Sequence, residues 1–308
     1  MPINRRSFLS NAAKSAGALY LQPRWKPIGE AIQLPAPLQL KMMATNWGIP
    51  GSLNQFCGMA REAGYDGIEQ WVPRDAEGRK ALRQATEEHG LAFGFLAGSG
   101  ASDFEEHFSQ FRDAVRTGIS MNPLYINCHS GRDYFTYEQN RQLVAFTLEQ
   151  SVASGIPIYH ETHRARMLFS SVITERMLEE FPDLRLTLDI SHWCCVHGSM
   201  LEDQKERVAK ALEHSGHIHA RVGHRNGPQV TDPAAPEWER ETNIHLAWWD
   251  TIARRKAAAG ETLTITTEFG PPTYMPTLPY TNQPVVDLWG VNVAMQKRLR
   301  QRYAGSSF

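Results

Sequence analysis

From Leu38 onward, short apolar or β-branched runs alternate with longer amphipathic ones, and this alternation limits the chain to very few folds. The strand-like runs are Leu40–Asn46, Gly67–Val72, Leu91–Ala97, Leu124–His129, Pro157–Glu161, Leu184–Ile190, His217–Val222 and Leu263–Phe269. Helical patterns lie between and after them at Leu53–Ala63, Ala76–Glu88, Phe104–Gly118, Tyr137–Ala153, Ser171–Phe181, Met200–His214, Ile244–Ala259 and Val285–Tyr303. Gly64, Gly90, Gly118, Gly155, Gly216 and Gly260 stand where those helices should close. Parallel strands need a helical crossover, so eight strands alternating with eight helices predict parallel βα units. The stretch of about 270 residues that carries them is near the ~250 typical of a (β/α)8 barrel. An open doubly wound sheet would place a Gly-rich phosphate loop after its first strand. That strand ends instead in Ala44-Thr45-Asn46-Trp47, so the expectation is a single-domain α/β TIM barrel over residues 38–308.

Residues 1–37 are set apart. Arg5-Arg6, one spacer, then Phe8-Leu9 resembles a twin-arginine export signal. The Ala-rich stretch behind it, Asn11 to Tyr20, is a weak apolar region with no clear cleavage site. The expectation is periplasmic export of a folded chain, with a basic tail on a cytoplasmic enzyme as the alternative. No apolar run approaches the roughly 20 residues that span a bilayer, so no membrane partner is expected.

In a barrel, chemistry collects at the carboxyl ends of the strands. In the second half of the chain those ends are His129, His160-Glu161-Thr162-His163-Arg164, Asp189-Ile190-Ser191-His192, His217-Ile218-His219 and Glu268-Phe269-Gly270. Carboxylates converging on one mouth repel, and a divalent cation is the simplest compensation. Three oxygen donors and one imidazole suit Mn2+, Co2+, Zn2+ or Mg2+ with positions left for substrate oxygens. Structural readings stand beside this one. Glu161 could pair with Arg164 or Arg166, Asp189 could cap a helix, and His219 could be a satisfied core imidazole. His129, His160, His163 and His224 divide between supporting and structural roles. Glu69 reads as a strand-end ion pair. Trp47, Trp71 and Trp193 are either rim residues for a sugar ring or core. Cys57, Cys128, Cys194 and Cys195 have neither zinc nor disulfide spacing and read as ordinary thiols.

At this point the chain resembles the xylose isomerase-like TIM-barrel family of sugar phosphate isomerases and epimerases. The resemblance covers roughly residues 39–300. It rests on Gly64-Tyr65-Asp66-Gly67-Ile68-Glu69, Glu161, Asp189-Ile190-Ser191-His192, His219 with Arg225 six residues on, and Glu268. It implies that Glu161, Asp189, His219 and Glu268 hold one divalent metal and that His192 and Arg225 hold substrate oxygens. His129, His163 and Trp47 complete the expected substrate-binding set. The chain departs from the epimerase pattern in its imidazole-rich His160–Arg164 segment and in the long, Pro-containing connection after the seventh strand.

Such a metal, acting as a Lewis acid on a ketose or keto-sugar, acidifies the neighbouring C–H. Glu161 and Glu268 would then move a proton off one face and onto the other. Epimerisation, 1,2-isomerisation and β-elimination from a 3-keto glycoside all begin this way and stay open. An endonuclease-IV-like phosphodiesterase shares the fold. However, 32 basic against 33 acidic side chains leave a net charge of −1, which speaks against a nucleic-acid partner. A non-catalytic sugar-binding barrel would leave all four ligand positions without purpose. With no Gly-rich phosphate loop in sight, a non-phosphorylated small-molecule sugar is favoured. The oligomeric state is open between a monomer and a homo-oligomer.

Overall fold

The computed structural model describes residues 31–304; the twin-arginine segment lies outside them. Eight parallel strands close a barrel in chain order: β1 (Gln39–Thr45), β2 (Gly67–Trp71), β3 (Ala92–Gly98), β4 (Ile126–His129), β5 (Ile158–Glu161), β6 (Leu186–Leu188), β7 (Ser215–Ala220) and β8 (Thr262–Thr267). β8 pairs with β1 from Gln39↔Thr262 to Ala44↔Thr267, which completes the ring. The TIM barrel expected from the alternation is the observed fold.

The helices around the barrel are α1 (Leu53–Glu62), α2 (Ala76–His89), α3 (Phe104–Ser120), α4 (Tyr137–Ser154), α5 (Ser171–Glu180), α6 (Ile190–His197), α7 (Lys205–His214), α8 (Glu239–Ala259) and α9 (Leu288–Tyr303). Their starts follow from caps legible in the chain. Ser52 and Thr136 each close a capping box with a Gln three residues on. Asp75 and Asp103 accept from the backbone N–H at the same offset. α6 lies where the sequence reading continued strand six through Ile190. Asp189 caps it, accepting from Ser191 N, and Gly198 ends it at φ 64°. β6 is therefore only three residues long and hands Asp189 directly to a helix N-terminus.

Gly90, Gly155 and Gly260 sit in the left-handed C-cap position, as expected of helix stops. Gly118 and Gly216 do not. Gly118 lies inside α3, where a Cβ would come within 3.0 Å of Ile126 Cδ1. Gly216 lies inside β7, where a Cβ would stand 2.3 Å from Tyr159 Cε1. Both are close-approach glycines between helix and barrel or across the barrel interior.

The barrel interior is more polar than its apolar strands suggested. Fully buried Glu69, Asn127, His217, His219 and Thr266 lie there. The rings of Tyr125 and His217 are 4.3 Å apart. The expected core thiols Cys57, Cys128 and Cys194 are buried, Cys195 is half-buried, and all four are free. Among the described residues no helix is long and apolar enough to cross a membrane.

Candidate metal centre and active site

Glu161, Asp189, His219 and Glu268 come from the ends of β5, β6, β7 and β8. Each offers one donor atom, and the four atoms lie within 4.8 Å of one another. All four residues are buried. His219 Nδ1 is 2.9 Å from Glu268 Oε2 and 3.6 Å from Glu161 Oε2. Its other nitrogen, Nε2, is 2.8 Å from Glu69 Oε1. A carboxylate can only accept there, so Nε2 carries a proton, and whenever the ring is neutral Nδ1 is left with its lone pair toward the acidic cluster.

These residues fit a divalent cation on their own evidence. Glu161 Oε1, Glu268 Oε2 and His219 Nδ1 are buried and have no hydrogen-bond partner. His219 and Glu268 approach closely without hydrogen-bond geometry. Orphaned buried donors and acceptors of this kind are costly unless an ion or proton compensates them. The donor set, oxygen-rich with one imidazole, suits a hard or borderline divalent ion.

The electrostatics point the same way. Burial alone would raise Glu161, but the neighbouring His129 and His219 outweigh it and hold the carboxyl well below its usual range. Burial would lower His219, yet Glu268, Glu69 and Glu161 raise it well above an ordinary imidazole. Asp189 is pushed up to about 6, by burial first and by Glu268 and Glu161 after it, against the pull of Arg221. A site whose carboxylates raise both Asp189 and His219 is short of positive charge.

Arg221 supplies part of that charge, and sequence reasoning missed it. Its guanidinium is buried, pairs with Asp189, lies 3.4 Å from Glu268 Oε2 and donates to His192 Nε2 at 2.8 Å. Arg225, the arginine the family pattern singled out, is exposed and stands apart from the cluster. It lies in the turn after β7, where His224 and Gly227 pair backbone to backbone. The arginine that reaches the site is two residues beyond His219, not six.

The expected substrate-side residues are otherwise brought to the mouth. His129 Nε2 lies 2.6 Å from Glu161 Oε2. His163 lies between His129 and His192, its ring tilted against both at separations of 5.0 and 3.9 Å. Burial pushes His163 down to about 3 and lowers His192 well below its ordinary value, so both are neutral at pH 7. Tyr274, from the connection after β8, lies under the guanidiniums of Arg221 at 4.7 Å and Arg164 at 5.1 Å. Trp47 is one ring further out, edge-on to Tyr274 at 5.0 Å and 37% exposed. Trp71, edge-on to His129 at 5.1 Å, is a second rim indole. Trp193 is fully buried and donates to Leu168 O, a core residue.

The structural alternatives resolve individually. Glu161 pairs with neither Arg164 nor Arg166; its partners are His129, His219 and Asn127, whose Nδ2 donates at 2.8 Å. Asp189 caps α6 with Oδ1 while Oδ2 faces Arg221, so it has both roles. Glu69 is buried against the imidazoles of His217 and His219, which form the expected ion pair with it only when protonated. His160 is structural, bonded to Ser130 Oγ and Thr147 Oγ1 at 2.6 Å each. His224 packs on Trp238 outside the cluster.

Fold and site together define a TIM barrel with a buried carboxylate–imidazole centre at the carboxyl ends of its last four strands. The family model of the xylose isomerase-like TIM barrel matches residues 57–240, and the chain belongs to that family. No curated protein matches the chain. Several solved structures resemble it. The D-allulose 3-epimerase from Methylomonas sp. is 14% identical with a TM-score of 0.56, over 88% of this chain and 100% of that one. A xylose isomerase-like TIM-barrel protein from Mycobacterium smegmatis, in complex with magnesium, is 14% identical with a TM-score of 0.55, over 88% and 97%. The 3-keto-D-glucoside 4-epimerase from E. coli is 16% identical with a TM-score of 0.51, over 74% and 91%. At such identities the likeness is one of fold.

Proposed function

We propose that the chain is a divalent-metal-dependent sugar isomerase or epimerase that removes a proton α to the carbonyl of a ketose or keto-sugar. The observation that carries this reading is the convergence of Glu161, Asp189, His219 and Glu268 donor atoms within 4.8 Å, buried at the mouth. These four residues would hold the ion. When bound, the ion supplies Lewis acidity toward neighbouring carbonyl and hydroxyl oxygens.

The remaining work falls to side chains. Glu161 and Glu268 both approach His219 Nδ1, at 3.6 and 2.9 Å, so a sugar bound at the ion would meet two carboxylates, one to take a proton and one to return it. His129 beside Glu161 keeps that carboxylate ionised and ready to accept a proton. Arg221 and His192 stand where a substrate hydroxyl would be oriented, with Tyr274 closing the rim. Trp47 and Trp71 give the mouth apolar faces suited to a sugar ring. The 3-keto-glucoside and allulose epimerases of the same fold make keto-sugars the first substrates to try.

β-Elimination from a 3-keto glycoside is the second reading, because it opens with the same proton abstraction at Glu161 or Glu268. Nucleic acid is not proposed as substrate, because the charge balance gives no electrostatic footprint for a phosphate backbone.

Metal analysis combined with solvent deuterium incorporation into a panel of ketoses and 3-keto glycosides tests the proposal. Exchange that disappears on chelation and in a folded Glu268→Gln variant is the expected result. Absence of exchange with every sugar, or equal exchange by metal-free protein, would refute it.

A further inference from the structure

On the β4–β5 side of the mouth, three arginines stand without an acidic partner. Arg132 follows β4 directly, and Arg164 and Arg166 lie in the connection after β5. Arg221, in the same mouth, pairs with Asp189 and lies 3.4 Å from Glu268, but among the described residues none of these three makes an ion pair. Arg132 Nη2 donates to the carbonyls of Gly100 at 2.6 Å, Ala101 at 3.3 Å and Ser99 at 3.5 Å. Arg166 Nη1 reaches the same Ser99 carbonyl at 3.5 Å. Two guanidiniums therefore share one backbone acceptor and face each other with no counter-ion. Arg132 Nε is buried without an acceptor. Arg164 has no acidic partner and meets Tyr274, over its ring face at 5.1 Å and as a side-chain hydrogen-bond partner.

Such an arrangement is unfavourable as it stands. Burial lowers Arg166, and the charge of Arg132 lowers it further. Ser99, Arg132 and Arg166 follow the carboxyl ends of β3, β4 and β5, on the same mouth of the barrel as Glu161. Guanidinium forks match the two oxygens of a carboxylate or a phosphate, and a cluster of them without carboxylates is suited to anion recognition.

We propose that Arg132 and Arg166, with Arg164 at the rim, dock an anionic group of the substrate, a carboxylate or a phosphate ester, beside the Glu161–His163 side of the mouth. The inference rests on the reading of the mouth as a keto-sugar site and narrows its substrate to an acidic or phosphorylated sugar. It departs from the expectation of an uncharged sugar that followed from the lack of a Gly-rich loop. Side-chain arginines recognise phosphate without such a loop.

Calorimetric titration of the full chain with D-glucuronate, inorganic phosphate and D-fructose, at constant ionic strength in chloride, tests it directly. Both anionic probes should bind more tightly than fructose, and Arg166→Gln should reduce the anion-to-fructose affinity ratio by about 10-fold or more, the loss expected for a charged hydrogen bond. Arg166→Lys, which keeps the charge but not the fork, should recover part of the ratio. Binding of glucuronate alone assigns a carboxylate; binding of phosphate alone assigns a phosphate ester. Affinity for neither probe above the chloride background, or an unchanged ratio in folded Arg166→Gln, overturns the proposal. The two readings fail separately. Anion binding without deuterium exchange in any sugar leaves the docking site and removes the isomerase. Exchange in fructose with no anion affinity does the reverse.

Discussion

Replacing Glu69 by Gln isolates the contribution of a buried carboxylate that never touches the proposed ion. Glu69 Oε1 accepts from His219 Nε2 at 2.8 Å, and Oε2 faces His217 Nε2 at 3.3 Å. His217 Nδ1 lies 2.9 Å from the Thr264 carbonyl, which can only accept, so His217 Nε2 carries no proton while the ring is neutral. Two lone pairs then oppose each other between His217 and Glu69, and Glu69 Oε2 is indeed without a hydrogen bond. A Gln amide suits this position, accepting from His219 through its oxygen and donating to His217 through its nitrogen. The fold should therefore survive. The metal site should not be indifferent. The His219 bond changes from charge-assisted, worth about 1.5–3 kcal/mol, to neutral, worth about 0.5–1.5 kcal/mol, a loss of roughly 1–1.5 kcal/mol. If that energy fixes the tautomer that aims Nδ1 at the ion, affinity should fall about tenfold, at the low end of what outer partners of metal-bound His contribute. Competition for Co2+ or Mn2+ against a calibrated chelator measures it, with thermal unfolding of the metal-free protein as the control. An unchanged metal affinity in a variant of wild-type stability would refute the view that Glu69 orients His219.

Other expectations follow from the same geometry. His245 is buried, with Gly223 N–H donating to its Nε2 at 3.3 Å and Glu241 O accepting from its Nδ1 at 2.8 Å, and burial pushes it down to about 4. The folded state thus refuses a proton that the unfolded chain binds below about 6.5, so this stabilisation is complete above that pH and is lost as pH falls from about 6.5 to 4, up to about 3 kcal/mol. Urea midpoints of wild type and His245→Gln across that window should converge at low pH; parallel curves would contradict the assignment. Gly216→Ala should cost about 1–3 kcal/mol by overpacking against Tyr159, read from the urea midpoint, and a Tyr159→Phe background should not rescue it because the clash is with the ring edge. Asp250 receives Arg302 Nε and Nη2 at 2.7 and 2.6 Å and Tyr303 Oη at 3.2 Å, tying the end of α9 to α8. Asp250→Asn should destabilise by about 2 kcal/mol and raise amide exchange in the last turn of α9 before the rest of the barrel, since it removes a charged acceptor shared by three donors.

How far the site was legible depended on how far local periodicity reaches. The barrel and its four candidate ligands could be read because each ligand ends a short apolar run, and ends of parallel strands meet at one mouth whatever the loops do. α6 escaped because Asp189 ends a strand and caps a helix at once, leaving no spacer for a composition-based boundary to register. Gly118 and Gly216 misled because a glycine selected for close approach looks, in one dimension, like a helix stop. The arginines are the most instructive failure. A six-residue spacing from His219 pointed to Arg225, but the chain leaves β7 at Ala220 and turns before that residue is reached. The period of two in a strand was the better guide, since residues 217, 219 and 221 share one face. His217, His219 and Arg221 all point to the carboxylates, with Arg221 held just past the strand end by Asp189 and Glu268. Arg132 and Arg166 had no comparable signal, because loops after two different strands bring them to the Ser99 carbonyl. Strand ends thus fix where the four candidate ligands meet, while the proposed docking arginines come from loops, and only the first of these is written in local sequence.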